Sequence, residues 1–462
     1  MSASHGELPA RHAVAGQMLH RGVVPLDTTH GPFAAHVLQN VASGSFAIAL
    51  ARGDLRGAMP LLARIHSSCV TSETFGGCDC DCVEQLDLAL AHIADEDRGV
   101  VFYLMQEGRG AGFAAKARDR MLVQASRNRL TTFEAYERMG LGHDQRRYDE
   151  VGHACALLGV AAPLVLLTNN PDKLTALSDL GIAVAGSARL RQPASPYNQH
   201  YLAAKSRSGH ALGDAADGPG AAELPEPVTD FAPYALPDAP RFVHLARYLL
   251  PVRLRGEPAP SGPYWFRVHA YFDLTDGRER VVLAYGPPDA PSPLVRVQHE
   301  SLLERFPRAT GAVHKPLWHE TVRRMVEHGA GYTAFVPIAG FDPQLREPVV
   351  DDDASAALLA HHLRGRTAHV LPDAALAGSS GDGDDAVTAG ATKILTNGSA
   401  AAATVANGDV AAATAVSGDA VATGLTSGDG AATMRALRLL GVVVEAAAPL
   451  RRPGVGAPRG DA

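Results

Sequence analysis

The sequence predicts an α/β protein built as a tandem duplication, each copy a mixed sheet with helices. Three observations predict it. Short apolar runs alternate with helix-period stretches from Thr28 to Leu212. A stretch rich in Ala, Gly, Pro and acid over 213–240 then has linker composition. Beyond it the first pattern recurs: LARIHSSC at 62–69 is echoed by LVRVQHES at 294–301, an offset of 232 (301 − 69).

Residues 1–20 read as a flexible tail, and the first copy as 21–212. The segment AIALARGD, ending at Asp54, reads as a strand followed by a turn. Val83, Leu86, Leu90 and Ile93 recur at helical spacing, which puts Cys82 at a helix start. VVFYLM (Val100–Met105) is a continuous apolar run, the signature of a strand covered on both faces. Leu164–Leu167 makes another strand. Asn170-Pro171 reads as an N-cap followed by proline at the first helical position, with Gly181 as the C-cap.

The second copy reads as 241–453. At offset 232, Gly99 falls on Gly331 and VVFYLM on YTAFVP (332–337). Later, VLLTNN (165–170) resembles KILTNG (393–398), and LTALSDLG (174–181) resembles MRALRLLG at an offset of 260 (441 − 181). The excess is an insertion over roughly 399–432, a low-complexity stretch in which glycines 398, 408, 418 and 428 recur. Its composition predicts a disordered loop.

A 46% hydrophobic fraction supports sizeable cores, and a net charge of −7 argues against nucleic-acid binding. An anionic ligand therefore needs a local basic pocket. There is no N-terminal apolar h-region and no run of 18 apolar residues, so the expectation is a cytoplasmic protein with no membrane partner.

Of five cysteines, Cys69, Cys80 and Cys82 form C-x10-C-x-C. Thiolates suit zinc, and three protein ligands leave a fourth position open. The competing reading is a closed structural site with Cys78 as fourth ligand. Cys155, in the apolar stretch HACALLGV, reads as core.

HSSC (66–69), the CDC of 80–82 followed by EQL, QEGRG (106–110), the pair Asp144-x-Arg146 and LLTNNPDK (166–173) follow in this order. The set resembles GTP cyclohydrolase II, the first enzyme of riboflavin synthesis. The resemblance implies a zinc-dependent hydrolase that opens the imidazole ring of GTP by water attack at C8. Formate and pyrophosphate are released, with magnesium assisting. It implies zinc on Cys69, Cys80 and Cys82. Nucleotide contacts are implied for Arg64, Ile65, His66, Ser67, Ser68, Gln85, Glu107, Gly108, Arg109, Thr132, Thr168 and Lys173. Asp144 is implied as proton acceptor and Arg146 as nucleophile on the α-phosphorus. A guanidinium stays protonated, so physical chemistry makes Arg146 a phosphate clamp instead. For Glu107 the expected task is accepting the guanine N–H edge. GRGAG (108–112) lacks the full dinucleotide-loop pattern.

Three departures stand at the site. Arg120 occupies the position of an expected tyrosine, Gly110 that of an expected asparagine, and Ser68 that of an expected acid. The first departure predicts that ring opening can occur without formate release. In the second copy Cys69, Cys80, Cys82, Glu107 and Arg109 become Ser301, Ala312, His314, Ala339 and Phe341, which leaves no zinc set. That copy is expected to be non-catalytic and to form a pseudo-dimer with the first, a homodimer of whole chains being the alternative. The rival function is a catalytically impaired, nucleotide-binding regulatory protein with structural zinc.

Overall fold

The computed structural model describes residues 14–212, 220–254, 262–311, 314–336, 352–364, 366–371 and 444–446. Its first sheet contains β1 (Val14–Ala15), β2 (Met18–Thr28), β3 (Gly31–Asn40), β4 (Phe46–Arg52), β5 (Leu61–Ser67), β6 (Gly99–Leu104), β7 (Leu164–Leu167) and β8 (Val184–Ala188). They lie in the order β1-β2-β3-β4-β6-β5-β7-β8, antiparallel as far as the β4–β6 pair and parallel beyond it.

Strand β6 shows why the order works. All six of its residues are buried, and successive side chains enter different cores. Val100, Phe102 and Leu104 face the side covered by α5 (Asp149–Leu158) and α6 (Asp172–Asp179). Val101 and Tyr103 face α2 (Cys82–Asp95), through Leu86, Leu90 and Ile93. A strand covered twice needs a continuous apolar run, which is what VVFYL supplies. Helix α6 begins one residue later than the sequence predicts, after Pro171, and Asn170 Oδ1 accepts from the Asp172 N–H.

The second sheet repeats the first. It contains β9 (Tyr234–Leu236), β10 (Ala239–Val252), β11 (Tyr264–Asp273), β12 (Arg278–Tyr285), β13 (Leu294–His299), β14 (Gly331–Val336), β15 (Ala368–Val370) and β16 (Val444–Ala446). Read from β9, its order is β9-β10-β11-β12-β14-β13-β15-β16, with the same switch from antiparallel to parallel pairing. β6 and β14 start at Gly99 and Gly331, separated by the offset read from the sequence, and β8 and β16 start at Val184 and Val444, separated by 260 (444 − 184). The duplication is therefore a duplication of fold.

Two boundaries differ from the sequence reading. β1 and the start of β2 lie inside the stretch read as a tail, and β9 and the start of β10 lie inside the stretch read as a linker. Edge strands this short are ordered by a neighbour's backbone and carry little apolar pattern of their own. The 399–432 insertion, KILTNG and MRALRLLG lie outside the described residues. Among the described residues no helix is long and apolar enough to cross a membrane.

The copies share a core. Phe75 and, from α3 (Gly112–Ala125), Phe113, Ala117 and Met121 pack with Ala246, Tyr248, Leu250, Phe266 and Trp318 of the second copy. Trp318 Nε1 donates to the Phe75 carbonyl at 3.0 Å. Glu279 of β12 accepts from the Phe113 and Ala114 N–H groups at 3.1 and 2.8 Å. It thereby caps a helix of the other copy, at the end where the helix dipole favours an anion.

Candidate active site

The cleft opens where the parallel strands β5, β6 and β7 end. Arg64, His66, Ser67, Ser68, Cys69, Cys82, Gln85, Glu107, Gly108, Arg109, Thr132, Asp144, Arg146, Thr168 and Lys173 all line it, in a space of about 980 Å³ counted out to the open mouth. Two expected residues do not. Ile65 turns its side chain into the core, and only its carbonyl is engaged, accepting from Lys173 Nζ at 2.8 Å. Cys80 sits in the wall behind Cys69.

The three cysteines converge. Cys69 ends the loop after β5, while Cys80 and Cys82 lead into α2. Their sulfurs all lie within 4.8 Å of one another, with Cys69 and Cys80 3.7 Å apart. A tetrahedral metal with ~2.3 Å bonds to sulfur needs thiolates ~3.8 Å apart, so the set fits zinc. Cys78 points elsewhere and donates to the Pro251 carbonyl at 3.4 Å. Its absence from the cluster removes the basis for the closed four-cysteine reading among the described residues. The Cys69 thiol is pushed well down because Cys80 and Cys82 hydrogen-bond to it and Lys116 sits beside it.

Lys116 was not legible as a site residue. It is buried on α3, 3.0 Å from Cys69 Sγ and 2.8 Å from Glu107 Oε1. Burial opposes its charge, but Cys69 and Glu107 outweigh burial and hold the ammonium well above its ordinary value. Glu107 also accepts from the Val70 N–H at 2.7 Å and from the Gly108 N–H at 3.2 Å. Both its oxygens are thus engaged, and a guanine edge would have to compete with these partners.

The GRGAG loop is glycine-rich for turn geometry. Gly108, Gly110 and Gly112 all have positive φ, and a Cβ on Gly110 would meet the Gln145 backbone at 2.9 Å. Arg109 also adopts positive φ (56°), an uncommon state for a residue with a side chain. This directs its guanidinium over the rings of Phe133 and Tyr136, at 3.9 and 5.3 Å.

Arg64 donates to the Leu167 carbonyl at 2.8 Å, to Gln85 at 2.7 Å and to His66 Nδ1 at 3.4 Å. Burial pulls it down to about 10, against the pull of Asp81. Lys173 is pushed well down by burial, then by Arg146, Arg64 and Lys205. Arg146 is paired with Asp144, its Nε 2.8 Å from Oδ1 and its NH2 on Oδ2. Burial alone would raise Asp144, but Arg146 more than offsets it and holds the carboxyl below its usual range. While paired, Asp144 is a poor proton acceptor.

Arg120 is buried against Asp79 (Nε–Oδ2 2.8 Å) and Asp119 (NH1–Oδ2 3.7 Å), an ion-pair contact rather than a directed hydrogen bond. Its guanidinium lies 4.8 Å from the Tyr201 ring centroid. Tyr201 and Lys205 come from one face of α7 (Gln199–Arg207), and His210 follows; all three line the cleft. Burial pushes His210 down to about 4. The i, i+4 spacing of Tyr201 and Lys205 was the available signal, but it is also ordinary on any surface helix. Of the two tyrosines nearest in sequence, Tyr136 lines the cleft and donates to the Gly108 carbonyl at 2.9 Å. Tyr103 lies behind it and donates to Glu73 Oε2 at 2.6 Å.

The family model for GTP cyclohydrolase II matches residues 20–189. A GTP cyclohydrolase-2 of Shewanella amazonensis is 39% identical over 190 residues, 41% of this chain and 91% of the relative. The chain belongs to the GTP cyclohydrolase II family. Counterparts in Pseudomonas putida and Pseudomonas aeruginosa are 40% and 41% identical, over 91% and 90% of their lengths. All these matches cover 41% of this chain. A solved two-domain 3,4-dihydroxy-2-butanone 4-phosphate synthase from A. baumannii aligns with a TM-score of 0.23 at 15% identity, over 39% of this chain and 43% of that one. Family membership makes the protein a hydrolase related to riboflavin-pathway enzymes.

Proposed function

We propose that the first copy opens the imidazole ring of GTP hydrolytically, with loss of pyrophosphate. The observation that carries this reading is the charge of the cleft beside a three-thiolate cluster. Arg64, Arg109, Arg146, Lys173 and Lys205 converge, and their mutual repulsion helps to push Lys173 down. A polyanion such as a triphosphate would relieve that repulsion.

Zinc on Cys69, Cys80 and Cys82 would supply a Lewis acid able to lower the pKa of a bound water. Lys116 would balance the excess negative charge of three thiolates. Arg146 acts in this reading as a phosphate clamp. Drawing it onto phosphate frees Asp144, whose carboxylate then regains ordinary basicity and can accept a proton. Arg64, through its fixed donors, and Thr168, on the LLTNN turn, orient the nucleotide. Magnesium belongs with the triphosphate: among the described residues the cysteines are the one clustered ligand set, and magnesium commonly relies on substrate phosphates.

Arg120 sets the outcome. It is clamped by Asp79 and Asp119, so it cannot donate and recover a proton as a hydroxyl would. We expect the formylamino pyrimidine to be released with its formyl group in place. Losing a positioned acid–base group costs ~10²–10⁴-fold, enough to suppress a second hydrolysis. The test is a formate assay run beside GTP consumption, with products identified by mass. GTP loss without formate, and formate restored in Arg120→Tyr, supports the reading. Stoichiometric formate from the native protein would refute the truncated reaction, with Tyr136 or Tyr201 then the hydroxyl to examine. A native protein that binds GTP without consuming it would favour the regulatory alternative.

A further inference from the structure

The second copy has lost the cysteine set, yet one of its side chains reaches the first copy's cleft through a buried polar chain. Arg305 is gripped by Glu300, Nε to Oε1 and NH2 to Oε2 both at 2.7 Å. Its remaining arm points to Tyr103 OH of the first copy at 3.4 Å. Tyr103 donates onward to Glu73 Oε2 at 2.6 Å, and Glu73 Oε1 meets His66 Nε2 at 2.8 Å. His66 Nδ1 faces Arg64 Nε at 3.4 Å. Arg305, Tyr103, Glu73, His66 and Arg64 are all buried, and the chain ends on two residues that line the cleft.

The hydrogens on this chain have one consistent arrangement. A guanidinium only donates, so His66 Nδ1 must accept from Arg64, and the ring proton sits on Nε2 facing Glu73. The Glu73 carboxylate then accepts on both oxygens, and Tyr103 passes the direction on by accepting from Arg305. We infer that Arg305 is a positioning residue for the first copy's cleft, fixing the tautomer of His66 and the orientation of Arg64. The equivalence of the copies sharpens the point. Arg305 stands 232 positions (305 − 73) after Glu73 and so takes its place in the second copy. Two first copies paired in this way would set a second carboxylate against Tyr103 where this chain sets a guanidinium. Like charges in low dielectric repel, so the geometry favours the pairing within the chain.

The inference rests on the GTP reading only for its kinetic assay. In Arg305→Met, kcat/KM for GTP should fall by about tenfold to a hundredfold, the scale of a displaced binding group. Zinc content should stay at the native level, and Arg305→Lys should recover most of the activity. Trp318→Phe serves as the control: it removes a hydrogen bond between the copies, to the Phe75 carbonyl, that is not one of the bonds of the chain, so it should lower Tm and leave kcat and KM unchanged well below that Tm. The ¹⁵N shifts of the His66 ring, assigned by their loss in His66→Gln, read the tautomer without nucleotide. They should report one Nε2–H form in the native protein and a mixture in Arg305→Met. If the native protein does not turn over GTP, the functional reading fails while these shifts still test the chain. Unchanged kinetics and an unchanged His66 tautomer in Arg305→Met would overturn the inference. So would a loss of kcat/KM in Trp318→Phe equal to that in Arg305→Met.

Discussion

Nucleotide binding should take up a proton, and Lys173 should be its acceptor. Burial, with Arg146, Arg64 and Lys205 nearby, holds Lys173 well below 10.5 in the free protein. One phosphate charge brought to about 4 Å at an effective dielectric of ~20 is worth ~4 kcal/mol. At 1.36 kcal/mol per pKa unit, that raises the proton affinity about a thousandfold, so binding should take up a proton wherever the pH lies between the free and bound values of Lys173. The assay is calorimetric titration with a non-hydrolysable GTP analogue at about pH 8.5, some two units above the ordinary histidine value. Run in buffers of different ionisation heat, the apparent enthalpy should vary with buffer in the native protein and cease to vary in Lys173→Met. Affinity should weaken by up to about tenfold per pH unit above the free-protein value of Lys173. The same displacement acts on folding. Between its folded value and 10.5 the unfolded chain holds the extra proton, so stability of the free protein should rise with pH in that window. A buffer-independent enthalpy in the native protein would refute the argument, and so would equal uptake in Lys173→Met.

Serine at Cys69, Cys80 or Cys82 should abolish both metal content and GTP consumption, because a hydroxyl is a poor zinc ligand, while Cys78→Ser keeps both. Elemental analysis beside the activity assay reads this, and metal retained in Cys69→Ser would contradict the ligand set. Glu279→Ala removes the acceptor for two N–H groups of α3 and should cost ~1–2 kcal/mol, read as a lowered Tm or denaturation midpoint. An unchanged midpoint would mean that water replaces the cap at no cost. Lys116→Met should weaken zinc retention against a chelator by about tenfold or more, the scale of a lost partner beside a metal ligand, whereas Lys116→Arg should lose less. Equal retention in native and Met proteins would remove Lys116 from the account.

The sequence displayed the parts of this protein that obey one-dimensional rules. β6 and α2 announced themselves by periodicity because each buries whole faces. The repeat was visible because the two sheets kept their spacing where strands meet, at Gly99 and Gly331. The strands at the copy boundaries were hidden, since β1 and β9 depend on a partner's backbone rather than on their own side chains. In the cleft and its wall, motifs led to Cys69, Cys80, Cys82, Arg109 and Lys173, because runs such as QEGRG and LLTNNPDK are distinctive. Lys116, Tyr201, Lys205 and His210 were not singled out, because each looks like an ordinary helix or surface residue until the fold brings α3 and α7 to the cysteines. Ile65 shows the opposite error: a motif names consecutive residues, but alternate positions of a strand face opposite ways, and here the core took the isoleucine.

The way the copies meet explains how the second could shed its ligands and keep its fold. Helix α3 carries Lys116, Asp119 and Arg120 into the cleft, while Phe113, Ala117 and Met121 pack against the second copy. Glu279 caps its start, Arg118 donates to the Leu245 carbonyl at 2.8 Å, and Gln124 pairs with both the N–H and the carbonyl of Leu249. A side-chain amide that satisfies both groups of one residue stands in for a neighbouring strand, and it fixes α3 against β10 in register as well as in distance. A shift of β10 by one residue would break that pair and displace the three cleft residues with it. The second copy is thus constrained along β10, β12 and the Trp318 face, where it holds the first. Its own counterpart of the cysteine site no longer needs ligands and serves contacts with the first copy instead: Glu300 accepts from Thr74 Oγ1 at 2.8 Å and Arg305 reaches Tyr103. There Ser301, Glu300 and Arg305 line a space of about 260 Å³ counted out to its mouth, against about 980 Å³ for the first copy's cleft.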